Sequence, residues 1–236
     1  MTPDDSRPLS LADEAYAALR GRIVNCRLAP GLRVTEKQLS AELGIGLTPV
    51  RQALARLDTE GLVRTLPRRG YQVAPLTIQS VDDLFQVWRI LGPAIAELAA
   101  QKVSARARAE LTARFGTRLG LAPRDGDVSA FVQDMDEYWT ALAEATGNRR
   151  LAGLYVGLAG ELRRVFTLIY QNPDAATTLA ALAEFEVWDA LGDQAMARGV
   201  SEQFIDTAHG AVLKVLMSWP SVVQAEVIPP VPWFFN

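Results

Sequence analysis

Four cations and a hydroxyl within the first seventy residues have the types and spacing to hold anions and base edges. Arg51 follows Thr48-Pro49-Val50. A planar guanidinium in the first turn of a helix can pair with guanine O6 and N7 or clamp a phosphate. The Thr48 hydroxyl, beside the unpaired N–H groups of a helix start, suits a phosphate. Lys37, on a preceding helix, can hold a nucleic-acid backbone. Arg68 and Arg69 lie beside Gly70 in a turn slim enough to enter a minor groove. Singly, each arginine reads as a solvated surface charge. Their joint placement around one motif reverses that reading.

These groups need a helix, a tight turn and a second helix. The run Leu39-Ser-Ala-Glu-Leu-Gly-Ile-Gly-Leu-Thr-Pro-Val-Arg-Gln-Ala-Leu54 has that form. Small Ser40 allows close crossing, and Gly44 gives the turn its backbone freedom. Val50 and Leu54, four apart, pin the second helix to the core, so Arg51 points away. Thr35 caps the first helix, Glu36 to about Leu43, and the second is expected from about Thr48 to Glu60, with Gly61 ending it. Ser10 caps a leading helix to about Cys26, and Leu28-Ala-Pro-Gly31 breaks it. Arg33-Val34 reads as a short strand. Leu62–Leu66 and Tyr71–Ala74 read as a hairpin around Pro67-Arg-Arg-Gly70. Residues 1–75 thus spell a winged helix-turn-helix, which projects the start of its second helix into a DNA major groove.

Residues 76–80 read as a linker, with Ser80 opening a helix whose early acids are Asp82 and Asp83. Residues 81–220 read as an all-helical antiparallel bundle, so the chain is mainly α. Its helices are expected over Val81–Gln101 (broken or bent at Gly92-Pro93), Ser104 to about Leu119, Val128 to Thr146, Arg149 to Tyr170, 176–198 and 201–218. Leu121–Asp127 is a loop, and Gln171-Asn-Pro-Asp174 turns the chain. Gly153, Gly157 and Gly160 suggest close helix contacts. The apolar, proline-rich tail 221–236 is expected to pack on the body or on a partner.

The chain has 236 residues and a net charge of −3. Residues 1–76 carry +3 and residues 77–236 carry −6, so the positive excess sits with the cationic motif, as phosphate contact requires. No run approaches the roughly 18 apolar residues of a membrane helix. The acidic, polar first residues do not resemble a secretory leader, and a cytoplasmic protein is expected. One cysteine, Cys26, excludes an internal disulfide and a cysteine metal cluster, and reads as a small buried residue of the first helix. No phosphate loop, zinc motif or nucleophile elbow is present, so no catalytic residue and no cofactor is expected.

Leu28-Ala-Pro-Gly31, Thr35-Glu36, Leu43-Gly44, Thr48-Pro-Val-Arg51, Glu60-Gly-Leu-Val63 and Pro67-Arg-Arg-Gly-Tyr71 resemble the N-terminal domain of the GntR family of bacterial transcription regulators. The helical region, through its helix order, Ala141-Leu142 and Gly147-Asn148, is similar to the FadR-type effector domain called FCD. The resemblance implies a homodimer on a short palindromic double-stranded operator. It also implies an effector domain that takes a small carboxylic acid, often with a divalent metal. Lys37, Thr48, Arg51 and Gly70 fall on family DNA-contact positions.

Two departures matter. The family's serine and arginine before Thr-Pro-Val-Arg are Gly46 and Leu47, so one DNA contact is missing, unless Leu47 packs locally or meets a thymine methyl. The family metal site needs one Asp and three His, and the chain has one histidine, His209. The Asp position falls on Met135 and a His position on Trp139, both poor ligands for such an ion. The remaining ligands would fall near Phe185–Asp189 and His209–Ala211. A surrogate from Asp134, Asp136, Asp189 and His209 is weakened because Asp134 and Asp136 flank Met135 on different sides of the helix. Trp88 replaces a family arginine, and Gly92 a glutamate. No metal is expected. Trp88, Met135 and Trp139 would wall a pocket that is filled by its own side chains or holds a more apolar effector. Equally, they are plain core residues. The functional expectation is a dimeric, ligand-responsive regulator. The alternatives are an effector-independent constitutive repressor and, less favoured, a helical enzyme fused to a DNA reader.

Overall fold

The computed structural model describes residues 10–119, 128–170 and 189–218. Three helices and a small sheet come first: α1 (Leu11–Val24), β1 (Arg33–Val34), α2 (Glu36–Leu43), α3 (Leu47–Thr59), β2 (Val63–Leu66) and β3 (Gly70–Val73). Ser10 and Thr35 cap α1 and α2 by accepting from the Asp13 and Gln38 N–H groups. The α2–α3 turn is closed by Gly44, the left-handed cap of α2 (φ +66°), and by Ser40, whose hydroxyl donates to Ile45 O over 2.6 Å. Ser40 is therefore a hydrogen-bonding residue as well as a small one. Leu19, Ile23, Leu39, Val50, Leu54, Leu57 and Val73 form the core beneath.

The sheet order is β1-β3-β2, all antiparallel, with Val34 opposite Tyr71 and Leu66 opposite Gly70. The turn is therefore Pro67-Arg68-Arg69, closed by Arg69 N–H to Leu66 O, with Arg68 at φ +61°. Gly70 is not at its tip but opens β3. Its φ is +84°, and a Cβ there would stand 2.5 Å from Val34 O. Only glycine lets β1 close on the hairpin at this point.

The helical domain holds α4 (Ile78–Lys102), α5 (Ala105–Leu119), α6 (Val128–Ala145), α7 (Arg149–Tyr170), a 3-10 turn (Asp189–Gly192) and α8 (Gln194–Met217). The α4 helix starts before Ser80. Thr77 is its cap, and Ser80 completes a reciprocal capping box with it. Gly92-Pro93 neither breaks nor ends the helix: both residues are buried within an unbroken run of 25 residues. Trp88, Trp139, Tyr155, Phe166 and Phe204 lie in the bundle core, with α4 laid along α8.

The last helix does not start at Ser201. Asp193 caps it by accepting from Met196 N–H, and it runs through Gly199 to Met217. Of the three α7 glycines, only Gly160 meets a neighbour, Arg20 and Val24 of α1. Gly153 and Gly157 face a groove of about 770 Å³ between α1 and α7. Cys26 lies beyond α1, half-buried at φ +53°, because Asn25 already caps that helix. The expected loop 121–127, turn 171–174 and tail 221–236 lie outside the described residues, as does 176–188 of the helix expected over 176–198. The remaining residues of that expected helix do not continue one helix but form the 3-10 turn Asp189–Gly192, the Asp193 cap and the start of α8.

Candidate nucleic-acid interface

The α3 helix begins at Leu47, one residue earlier than the sequence suggests, with Gly46 as its cap and no side chain closing its end. Pro49 falls in the first turn, where a missing N–H costs nothing. Val50, Ala53, Leu54 and Leu57 are buried, so Leu47, Thr48 and Arg51 are left exposed. The Arg51 side chain is 64% exposed. It is nevertheless paired, which the sequence reading missed. Its Nε donates to both Glu36 oxygens, at 2.9 and 3.0 Å, and its Nη2 donates to Oε2 at 2.6 Å. Tyr71 donates its hydroxyl to Glu36 Oε1 at 3.2 Å.

This triad joins α3, the start of α2 and the hairpin. Its electrostatics are self-consistent. The Arg51 hydrogen bonds hold the Glu36 carboxyl below its ordinary pKa, and the same pair raises Arg51. Burial and the Glu36 carboxylate push Tyr71 up, so its proton stays in place. Glu36 is also in the first turn of α2, where the helix dipole favours its charge. Lys37 is the next residue and is exposed, as are Arg68 and Arg69.

The three residues placed at the wall of a pocket do come together. Trp88 and Trp139 meet edge to face with centroids 5.4 Å apart, and Met135 lies beside them. All three are buried, and the space among them and Tyr155 and Phe166 amounts to about 10 Å³, room for one water at most. Trp88 Nε1 and Asp136 Oδ1 are buried there without a partner among the described residues. Burial raises the Asp136 pKa; Arg163, 3.5 Å away, opposes this, as does Arg20 from α1.

His209 is elsewhere, stacked on Phe85 with centroids 4.7 Å apart. Its Nδ1 accepts from Arg89 Nη2 at 2.9 Å, so its proton sits on Nε2, which stands 3.2 Å from Asp82 Oδ1. Arg89 in turn pairs with Asp206 at 2.6 Å. Among the described residues no group of three His, Cys, Asp or Glu side chains could hold a metal. Met135 and Trp139, at two of the expected ligand positions, do not fit one either, since they are packed against aromatic rings.

A winged helix-turn-helix with an exposed cationic reading helix, joined to an all-helical bundle, defines a class of DNA-binding regulators. Residues 11–73 match the bacterial regulatory proteins of the gntR family, and residues 83–188 match the FCD domain. The chain is thus similar to a gntR-family DNA-binding domain followed by an FCD domain. It is 34% identical over 99 residues to an uncharacterized HTH-type regulator from a ttuE–ttuC' intergenic region of Agrobacterium vitis, covering 42% of this chain and 57% of that one. It is 31% identical over 91 residues to the HTH-type transcriptional repressor RspR of Escherichia coli, covering 39% and 40%. The aligned stretches thus span about half of these relatives' lengths. The fold resembles that of E. coli McbR/YncC, with a TM-score of 0.76 at 20% identity over 88% of this chain and 99% of that one. It also resembles a GntR regulator from Rhodococcus sp. RHA1, with a TM-score of 0.65 at 21% identity over 89% and 100%.

Proposed function

We propose that this chain is a bacterial transcription regulator that binds a double-stranded operator as a homodimer, in the cytoplasm, and belongs to the FadR-type branch of its family. The Arg51–Glu36–Tyr71 triad carries the reading, because it ties the reading helix, the helix before it and the wing into one rigid surface. Lys37, Thr48, Arg68 and Arg69 add phosphate contacts around it, with Gly70 shaping the wing. The boundaries proposed are 1–75 for the DNA-binding domain, 76–80 for the linker, 81–220 for the effector and dimerisation domain, and 221–236 for the tail. Exposed apolar residues on the helical domain support pairing of two copies: Ile90 on α4, 71% exposed, with Val87 on the same face, and Leu154 and Val156 on α7. Retardation of the duplex upstream of its own gene, with sedimentation of the free protein, tests both halves. A monomer that shifts no genomic duplex defeats the proposal.

A second reading is favoured by the core. A void of about 10 Å³ holds no organic acid, which supports an effector-independent constitutive repressor. On the first reading, a small acid or a more apolar molecule must displace Trp88, Met135 or Trp139. A thermal-shift screen with small carboxylic acids and aromatic compounds separates the two: stabilisation by any of them favours an effector.

A further inference from the structure

We infer that Glu36, backed by Tyr71, sets the base preference of this protein by presenting one fixed edge of Arg51 to guanine. The inference rests on the regulator reading and deepens it. A guanidinium has two edges able to make paired hydrogen bonds, the side edge of Nε and Nη2 and the end edge of Nη1 and Nη2. Here the side edge is committed to Glu36, with three contacts of 2.6 to 3.0 Å. No other protein acceptor holds Arg51 among the described residues, so the end edge faces solvent from the first turns of α3. Guanine O6 and N7 are two acceptors spaced to receive that edge.

The carboxylate does more than neutralise. A free arginine samples many rotamers and pairs equally well with any phosphate. An arginine held in plane by a carboxylate, itself held by Tyr71 and by the start of α2, has already lost that freedom before DNA arrives. Glu36 is also an anion at a surface meant for phosphates. It therefore penalises contacts that would pull Arg51 toward the backbone and leave the carboxylate unpaired. Both effects favour base readout over backbone contact, so Glu36 is a positioning residue for specificity.

The test uses the full chain and a randomised duplex library about two helical turns long. The wild type is expected to enrich a sequence with a fixed G·C pair in each half-site, and Arg51→Lys to lose preference at that pair. Glu36→Gln is expected to reduce the discrimination of G over A there by about ten-fold or more, leave other positions unchanged, and bind a scrambled duplex as well as before or better. Tyr71→Phe is expected to show a smaller loss at the same pair. If Glu36→Gln does not fold by circular dichroism, Glu36→Asp and Tyr71→Phe give the same readout. Full discrimination in the folded variants overturns the inference while leaving the regulator intact. A wild type that enriches no sequence overturns the regulator reading and the inference with it.

Discussion

Arg164 of α7 donates Nη2 to the carbonyl oxygen of Ala74 over 2.5 Å, tying the end of the wing to the middle of the bundle. The residue is 1% exposed. Burial lowers its pKa, while Cys26 and Glu161 oppose that shift. From the other side, Cys26 donates its thiol to Arg164 O at 3.5 Å. The neighbouring residues Leu162, Arg163 and Phe166 line the central void. One helix therefore touches both the core of the bundle and the DNA-binding domain.

Replacing Arg164 with Met keeps the length and removes the donor. The Ala74 carbonyl loses that partner, at a cost of about 1–3 kcal/mol. Calorimetry is expected to resolve two unfolding transitions where the wild type shows one, and proteases to cut faster within Pro75–Thr77. A single, unshifted transition would argue that the two domains are coupled by other contacts.

Trp139→Ala is expected to cost about 3–5 kcal/mol and to leave an apolar cavity among Trp88, Tyr155 and Phe204. Indole then raises the melting temperature of the variant and leaves that of the wild type unchanged, because only the variant has room for it. Equal shifts in both proteins would mean that the wild-type core opens to ligands on its own.

Acid should weaken the fold through His209. Burial first, and Arg89 second, depress its pKa below that of a free imidazole, against the pull of Asp82 and Asp206. An unfolded chain therefore binds a proton at a pH where the folded one does not, so stability falls as pH drops through about 6.5 and keeps falling until the folded imidazole is itself protonated. Melting temperatures recorded between about pH 7.5 and 5.5 should decline for the wild type and stay flatter for His209→Gln. Parallel profiles would assign the decline to the carboxylates.

Leu47 is 48% exposed at the first position of α3. Leu47→Arg places a cation where the family resemblance expects one. Affinity for a scrambled duplex should rise, with a salt dependence steeper by about one counterion. Stability should drop by a few tenths to about 1 kcal/mol, since a cation opposes the positive end of the helix. An unchanged salt slope would show that the side chain does not reach a phosphate.

The DNA-binding domain was legible because its signals are local. Ser10, Thr35 and Gly44 act within a turn of their own positions, and the hairpin is closed by residues next to each other. The bundle was less so. Pro93 reads as a helix breaker, yet it lies buried inside α4, which continues past it to Lys102. Thr77 and Ser80, three residues apart, have the same capping chemistry, so the sequence alone does not say which of them opens α4. Gly153 and Gly157 have the spacing of a packing face but meet open space. The pairings that matter most span 15 residues, from Glu36 to Arg51, and 90, from Ala74 to Arg164. No periodicity encodes such distances. Nothing in the sequence marks Glu36 as the partner of Arg51, or Arg164 as buried.

The continuity of α4 has a mechanical meaning. At 1.5 Å per residue its 25 residues make an arm about 38 Å long, capped at Thr77 and joined to the wing by three residues. An arm of that length turns angle into displacement. Pivoting it by about five degrees at its far end moves the wing by about 3 Å, close to the rise of one base pair, so in the proposed dimer a small rearrangement near Lys102 is enough to put the two reading heads out of step with the groove.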